Sequence, residues 1–271
     1  MKILVAAIAT AIVWLTQAAD VDTLLARLDV YLAAYEPKLS ELVADESMRQ
    51  EVRGGRELLQ RTVDSEVAFI ALPQNVGWLG FRHVKTVDNR PVDLADASLT
   101  VALGTPGLEQ ARTLLEESSH HNLGLPRTTN LPNLPLEFLH RRNRQRLLAR
   151  ADGQETVRGI RTARLVFLER TTPTVIQNRD TGQDIPSVVR AWIDPRDGRL
   201  MRASVETFAS AGAKRSESSL SVEFAENKSL GLLVPIEMRE VFPAGKPLRG
   251  TSVASYTNFR RFQTSVRIVP Q

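Results

Sequence analysis

Apolar positions along the chain change their rhythm several times, and each rhythm predicts an element. Ile3 to Thr16 form an uncharged run of fourteen residues behind Lys2. A helical rhythm follows in "DVDTLLARLDVYLAAYEP", where Leu24, Leu25, Leu28, Tyr31, Leu32 and Tyr35 fall on one face. Asp20 or Asp22 is placed to cap this helix and Pro37 to end it. Its polar face carries Asp22, Arg27, Asp29 and Glu36, not the basic face of a membrane-surface helix, so the stripe is expected to pack on a sheet. "SEVAFIALP" (65–73) is apolar on both alternating faces and predicts a strand covered on both sides. "GWLGFRHVKTVDNRPV" reads as a strand, a turn at Asp88-Asn89 and a short return. Thr105-Pro106 opens a second helix, with Leu108, Ala111, Leu114 and Leu115 as its apolar side. It is expected to end near "HHNLG", where Asn122 or Gly124 can take the left-handed conformation. A Pro-rich connection and a short helical piece, "LEFLHRR", come next.

From about residue 144 the rhythm shortens to two. "RTARLVFLE", "SVVRAWID", "RLMRASVETF", "SLSVEF" and "LLVPIEMREVF" read as sequential antiparallel strands, with "DPRDG" as a hairpin turn at Gly198. "NRDTGQD" (178–184) reads as a hairpin loop between strands near 174–177 and 186–193; its spacing does not match a calcium loop. The last segment, "SYTNFRRFQTS", places Tyr256, Phe259 and Phe262 three apart. A flat strand would put Phe259 on the face opposite Tyr256 and Phe262; a bulge near Asn258 would aim all three rings inward. Strands with one apolar face each must curl around something or be covered by helices. The expected fold is therefore α+β: a strongly curved antiparallel β-sheet, an open half-barrel, with helices packed on its concave face.

Composition narrows the compartment. The N-terminal run, closed by Asp20 and Asp22, is shorter than a membrane span, and Thr16-Gln17-Ala18 resembles a signal-peptidase site. Residues 1–18 are expected to be a signal peptide cleaved after Ala18, leaving 19–271 as one domain in the periplasm or outside the cell. No cysteine occurs, which excludes thiol catalysis, cysteine metal sites and a cysteine-borne lipid anchor. A chain of this length can build a core without disulfides. The net charge of +4 is small, and nucleic acid is not an expected partner of an exported protein.

Candidate chemistry is sparse. No nucleophile elbow, H-E-x-x-H or phosphate loop is present. His120 and His121, near Glu116 and Glu117, form the one tempting polar cluster; a metal would need a further ligand, and a polar helix end explains them as well. No catalytic residue, metal or cofactor is assigned. "HRRNRQRLLAR" (140–150) offers Arg141, Arg142 and Arg144 either as a solvated face or as a contact for anionic headgroups or an acidic envelope protein. Trp78, Phe81, Trp192, Met201 and Met238, with Tyr256 and Phe259 of the closing strand, would suit the lining of a lipid pocket or an ordinary core.

"VRAWIDPRDGRLMRASV", "GLLVPIEMREVF" and "ASYTNFRRF" resemble recurring strands of a group of secreted bacterial proteins of uncharacterised activity. "GWLGFRHVKTVDNRPV" and "EESSHHNLGLPRTTNLP" resemble it too. More distantly, the strand order resembles the periplasmic lipoprotein carrier and its outer-membrane receptor (LolA/LolB), in which an open half-barrel shelters acyl chains over helices. The helical, Pro-rich section at about 95–143 is an insertion relative to those small carriers. The resemblance implies a non-enzymatic exported protein that binds a lipid, a lipoprotein acyl chain or another apolar molecule. The alternatives are an envelope interaction protein with a solid core, and a hydrolase built around His120 or His121.

Overall fold

The computed structural model describes residues 3–72, 77–92, 116–178, 181–245 and 247–261. Helix α1 spans Ile3–Leu39. Strands β1 (Leu42–Gly54), β2 (Glu57–Leu72), β3 (Gly77–Val87) and β4 (Arg90–Pro91) follow. The helical turns α2 (Leu134–Leu139) and α3 (Arg141–Arg144) precede β5 (Leu147–Val157), β6 (Ile160–Glu169) and β7 (Ser187–Ile193). Then come β8 (Leu200–Thr207), β9 (Ser218–Asn227), β10 (Leu232–Pro243) and β11 (Arg249–Arg261). All eleven strands form one antiparallel sheet in the order β4-β3-β2-β1-β11-β10-β9-β8-β7-β6-β5, and it does not close. Strand β1 pairs with β11, so the first and last described strands meet in the middle of the sheet.

Helix α1 contacts β2, β10 and β5, strands near one end, in the middle and at the other end of the sheet. One helix can touch all three only if the sheet curls around it. Leu24, Leu28, Leu32, Tyr35 and Leu39 are buried in that contact, at the spacing the sequence shows. They meet Met48, Val67, Met238, Phe167 and Phe224 from the concave face. The hairpin turn between β7 and β8 closes on the same helix: an added Cβ at Gly198 (φ +79°) would sit 2.4 Å from the Arg27 carbonyl. The expected half-barrel with helices on its concave face is the observed architecture.

Several local expectations are refined. Helix α1 does not start at Asp20 or Asp22 and does not stop at Pro37; it is continuous from Ile3 and ends at Leu39. Leu39 is almost fully buried, so core packing carries the last turn past the proline. "LEFLHRR" is two helical turns, not one piece. His140 breaks them with ψ 138°, and its Nδ1 accepts the Arg142 N–H as the cap of α3. Residues 174–177 form no strand; only an isolated bridge joins Gln177 to Asp184. Asp184 instead braces this loop by accepting from the Thr174 N–H and hydroxyl. Of the second expected helix, residues 116–120 are helical and the rest lies outside the described residues. Gly124 takes the left-handed conformation, as do both Asp88 and Asn89 at the β3–β4 turn. The bulge near Asn258 is present: Val43 pairs with Arg260 but Asp45 pairs with Thr257, and Asn258 has φ +50°. Ala68 and its neighbours Val67 and Phe69 are all buried, so this stretch of β2 is covered on both faces. Among the described residues no helix is long and apolar enough to cross a membrane.

Candidate functional site

On β1, the inward positions alternate polar and apolar: Glu46, Met48, Gln50 and Val52 are all buried. Strand register sets Tyr256 beside Glu46 and Ser252 beside Gln50, with Arg82 of β3 facing the same way as Val67. The sheet therefore presents a polar row under the segment 121–133, and that segment supplies the partners. Arg82 donates to Glu46 Oε1 at 2.9 Å and to the Asn130 carbonyl at 2.8 Å. Tyr256 Oη donates to the same Glu46 oxygen at 2.9 Å. Arg127 donates to Glu240 Oε1 at 2.9 Å and to Gln50 Oε1 at 3.0 Å, while its guanidinium lies 3.5 Å from the centre of the Phe242 ring. Ser252 Oγ donates to the other Glu240 oxygen, and the Leu123 N–H to Gln50. Asn130 holds Asn122, and the Arg61 guanidinium caps the carbonyls of His121 and Asn122.

Burial and charge pull the two arginines apart. Desolvation works against the Arg82 charge, but the Glu46 carboxylate more than offsets it, and its pKa is raised. At Arg127 burial prevails over Glu240, and its pKa is lowered. Burial, then the Glu46 charge, pushes the Tyr256 hydroxyl well above the usual phenol range. One buried ion pair, Arg127–Glu240, clamps the covering segment onto the sheet; the other, Arg82–Glu46, lies within the sheet and holds the segment through Asn130. Losing one member of either pair would strand the other without solvent.

Beside this clamp the concave face stays open. A cleft of about 570 Å³ lies between the 116–129 segment and the loop at 176–185, over the ends of β8, β9 and β10. Ile176, Ile185, Pro126 and Pro243 give it apolar walls; Thr128 and Gln177 are among its polar ones, and Glu240 and Arg127 reach it from the clamp. That volume is within the range of ligand pockets. A second space of about 550 Å³ lies on the other side of His120, bounded by Arg61, Val92 and His121. A third, about 160 Å³, sits between Tyr31 and Tyr35 of α1 and Leu232 and Leu233 of β10. Burial, then Arg61 and His120, lowers the His121 pKa. Among the described residues no three His, Asp or Glu side chains gather as a metal site.

Of the aromatic and sulfur side chains singled out in the sequence, Trp192, Met201, Met238 and Tyr256 belong to one buried cluster with Phe259 packed against it, and none of these lines the cleft. Met238 and Tyr256 do meet, with Tyr256 Oη 3.6 Å from the sulfur, one inward position from Glu240. Met201 belongs to the core around α1, and Phe259 packs half-buried against it at the bulge. Phe81 is buried on the face opposite Arg82, in a row with Ala68 and Val43. Trp192 is buried as well (7% exposed), on the face opposite Ala191, where Arg164 and Arg202 cover its ring and it donates to Glu155 at 2.7 Å. The Trp78 side chain lies outside the described residues. Of the three arginines, Arg141 is exposed, Arg142 pairs with Glu137, and Arg144 pairs with Asp29 of α1 over the Phe167 ring. They do not form one free basic face. Arg82, Arg127, Glu46 and Glu240 were not singled out. Their signal was available for Glu240, which occupies an inward position between Met238 and Phe242.

No family sequence model and no curated protein sequence matches the chain. Solved structures to which the chain is similar include the following three. A DUF1329 family protein from Desulfovibrio piger has a TM-score of 0.45 and 16% identity, covering 93% of this chain and 95% of its own. A putative outer membrane lipoprotein-sorting protein domain from Vibrio parahaemolyticus has a TM-score of 0.40 and 10% identity, covering 89% and 93%. A LolA superfamily protein from Nitrosomonas europaea has a TM-score of 0.37 and 10% identity, covering 92% and 94%.

Proposed function

We propose that this is an exported, non-enzymatic protein that takes a lipid, a lipoprotein acyl chain or another apolar ligand into the cleft on its concave face. The observation that carries this reading is the cleft itself: about 570 Å³ of space between the curled sheet and its covering segment. Ile176, Ile185, Pro126 and Pro243 would hold the apolar part of the ligand, while Thr128 and Gln177 would orient a polar end. Export rests on the uncharged run Ile3–Thr16 and the Ala18 cleavage site, after which α1 would begin near Asp20 as the plug of the half-barrel. The mature protein would act in the periplasm or outside the cell without a lipid anchor.

Uptake of a fluorescent fatty acid by the purified protein tests the cleft. Saturable binding that is lost when Ile185→Trp fills the space supports it. A second reading is an envelope interaction protein with no ligand. The buried clamp favours it, because ion pairs occupy much of the concave face where a carrier would be apolar. Absence of probe uptake, with the protein folded, would leave that second reading in place.

A further inference from the structure

Six large apolar side chains stand exposed among the described residues, and four of them share one end of the sheet. Leu58 (43% exposed) and Leu59 (55%) follow the β1–β2 hairpin tip, and Leu248 (37%) sits on the β10–β11 tip. The two tips touch: Leu248 lies against Gly54, within 3.4 Å of where a Cβ would stand. Leu125 (53%) joins them, because its neighbour Gly124 packs on Ala244 of the β10–β11 tip. Solvated tips usually carry polar residues, so four leucines gathered there call for a covering partner.

The charges around them say which. Arg53 and Arg56 flank the glycines of the β1–β2 tip, stand exposed and make no ion pair or hydrogen bond among the described residues. Arg249 adds a third guanidinium at the other tip, donating to the carbonyls of Ser216 and Glu217. The exposed carboxylates near them are Glu57 and Glu217; Glu51 is taken up by Arg49 and Gln60. We infer that this end of the sheet docks on an anionic lipid surface, with the leucines entering the headgroup boundary and Arg53 and Arg56 resting on the phosphates. Basic residues beside a membrane gain from its negative potential, and exposed apolar side chains gain from burial in the interface. The surface also adjoins the mouth of the cleft, since Pro126 and Pro243 line that cleft next to Leu125 and Ala244. Docking here would bring the cleft to the bilayer, but it stands on the tips alone and does not require the cleft to be filled.

The test is flotation of the purified full chain with vesicles of phosphatidylethanolamine and phosphatidylglycerol, against vesicles of phosphatidylcholine. The expected result is partition onto the anionic vesicles that weakens with salt. R53E with R56E should reduce it by on the order of 10-fold or more, and so should L58S, L59S and L248S combined, with unchanged melting temperatures. R141E with R142E, away from the tips, should leave it unaltered. No partition onto anionic vesicles, or equal partition by all variants, would overturn the proposal. Self-association in the absence of lipid that the leucine variants abolish would overturn it as well, by naming a second copy as the cover.

Discussion

Arg82 and Glu46 are 36 residues apart in sequence and nearly solvent-free in the fold, with side chains 2% and 0% exposed. Removing one member of such a pair leaves an uncompensated buried charge. Arg82→Met is therefore expected to cost about 3–5 kcal/mol, while Arg82→Met with Glu46→Leu should recover a large part of that loss. Urea unfolding of the three proteins checks it; a double variant no better than the single would contradict it. Asp194 makes a second residue-scale prediction. Its side chain is fully buried, and the Arg196 hydrogen bonds, opposed by burial and aided by Arg199, hold its pKa below the ordinary 3.8. A depressed carboxylate contributes stability above its unfolded pKa and loses it as pH falls through the folded value. The protein should lose stability as pH drops below about 3.8, and Asp194→Asn should flatten that part of the acid limb in melts at graded pH. The Arg82–Glu46 pairing was not legible in the sequence, because 36 residues separate the two and only the strand register joins them. Asp194 and Arg196 are two residues apart within the β7–β8 turn, and there it is the burial of Asp194 that the sequence did not show.

At the scale of elements, the sequence was readable where a strand hides one face under α1 and shows the other to solvent. Strands β6 to β9 alternate largely in that way, and their positions matched the expectation closely; β10 alternates only from Met238 on, after a bulge between Pro235 and Glu237. Strand β1 did not announce itself, because Glu46 and Gln50 share the inward positions with Met48 and Val52 and erase the alternation. Strand β5 did not either: it is an edge strand, and of its residues only Val157 is buried. In the closing segment the bulge at Asn258 is present, with Tyr256 buried and Phe259 half-buried against the core, while Phe262 lies outside the described residues. Asn tolerates the positive φ there, while Arg260 reaches Asp45 and Glu66. The β7–β8 hairpin was legible from "DPRDG", but its second role was not. Gly198 lets the turn press on the backbone of α1 at Arg27. Gly198→Ala would need both a strained φ and a retreat from the helix, and should cost about 1–3 kcal/mol for the strain alone. Loss of cooperative unfolding shared by α1 and the sheet, followed by hydrogen exchange, is the expected sign. An unchanged protein would contradict the contact.

Among the described residues the molecule is a sheet of eleven strands curled around one long helix, with the first and last of those strands joined at the centre. The sequence pointed to that architecture because α1 is amphipathic on one side only and the later strands are one-sided as well. It did not reveal how the interior would be divided. Part is an apolar core on α1, part a buried ionic clamp under the 121–133 segment, and part an open cleft of about 570 Å³. The cleft is what makes ligand binding the central claim, and the clamp is what would hold its cover in place. The most direct test is native mass spectrometry of the mature protein extracted gently from the organism that makes it. A fraction of the protein is expected to carry the extra mass of an apolar molecule, released by organic solvent and displaced by a fluorescent fatty acid. Bare protein in every preparation, together with no uptake of the probe, would contradict it.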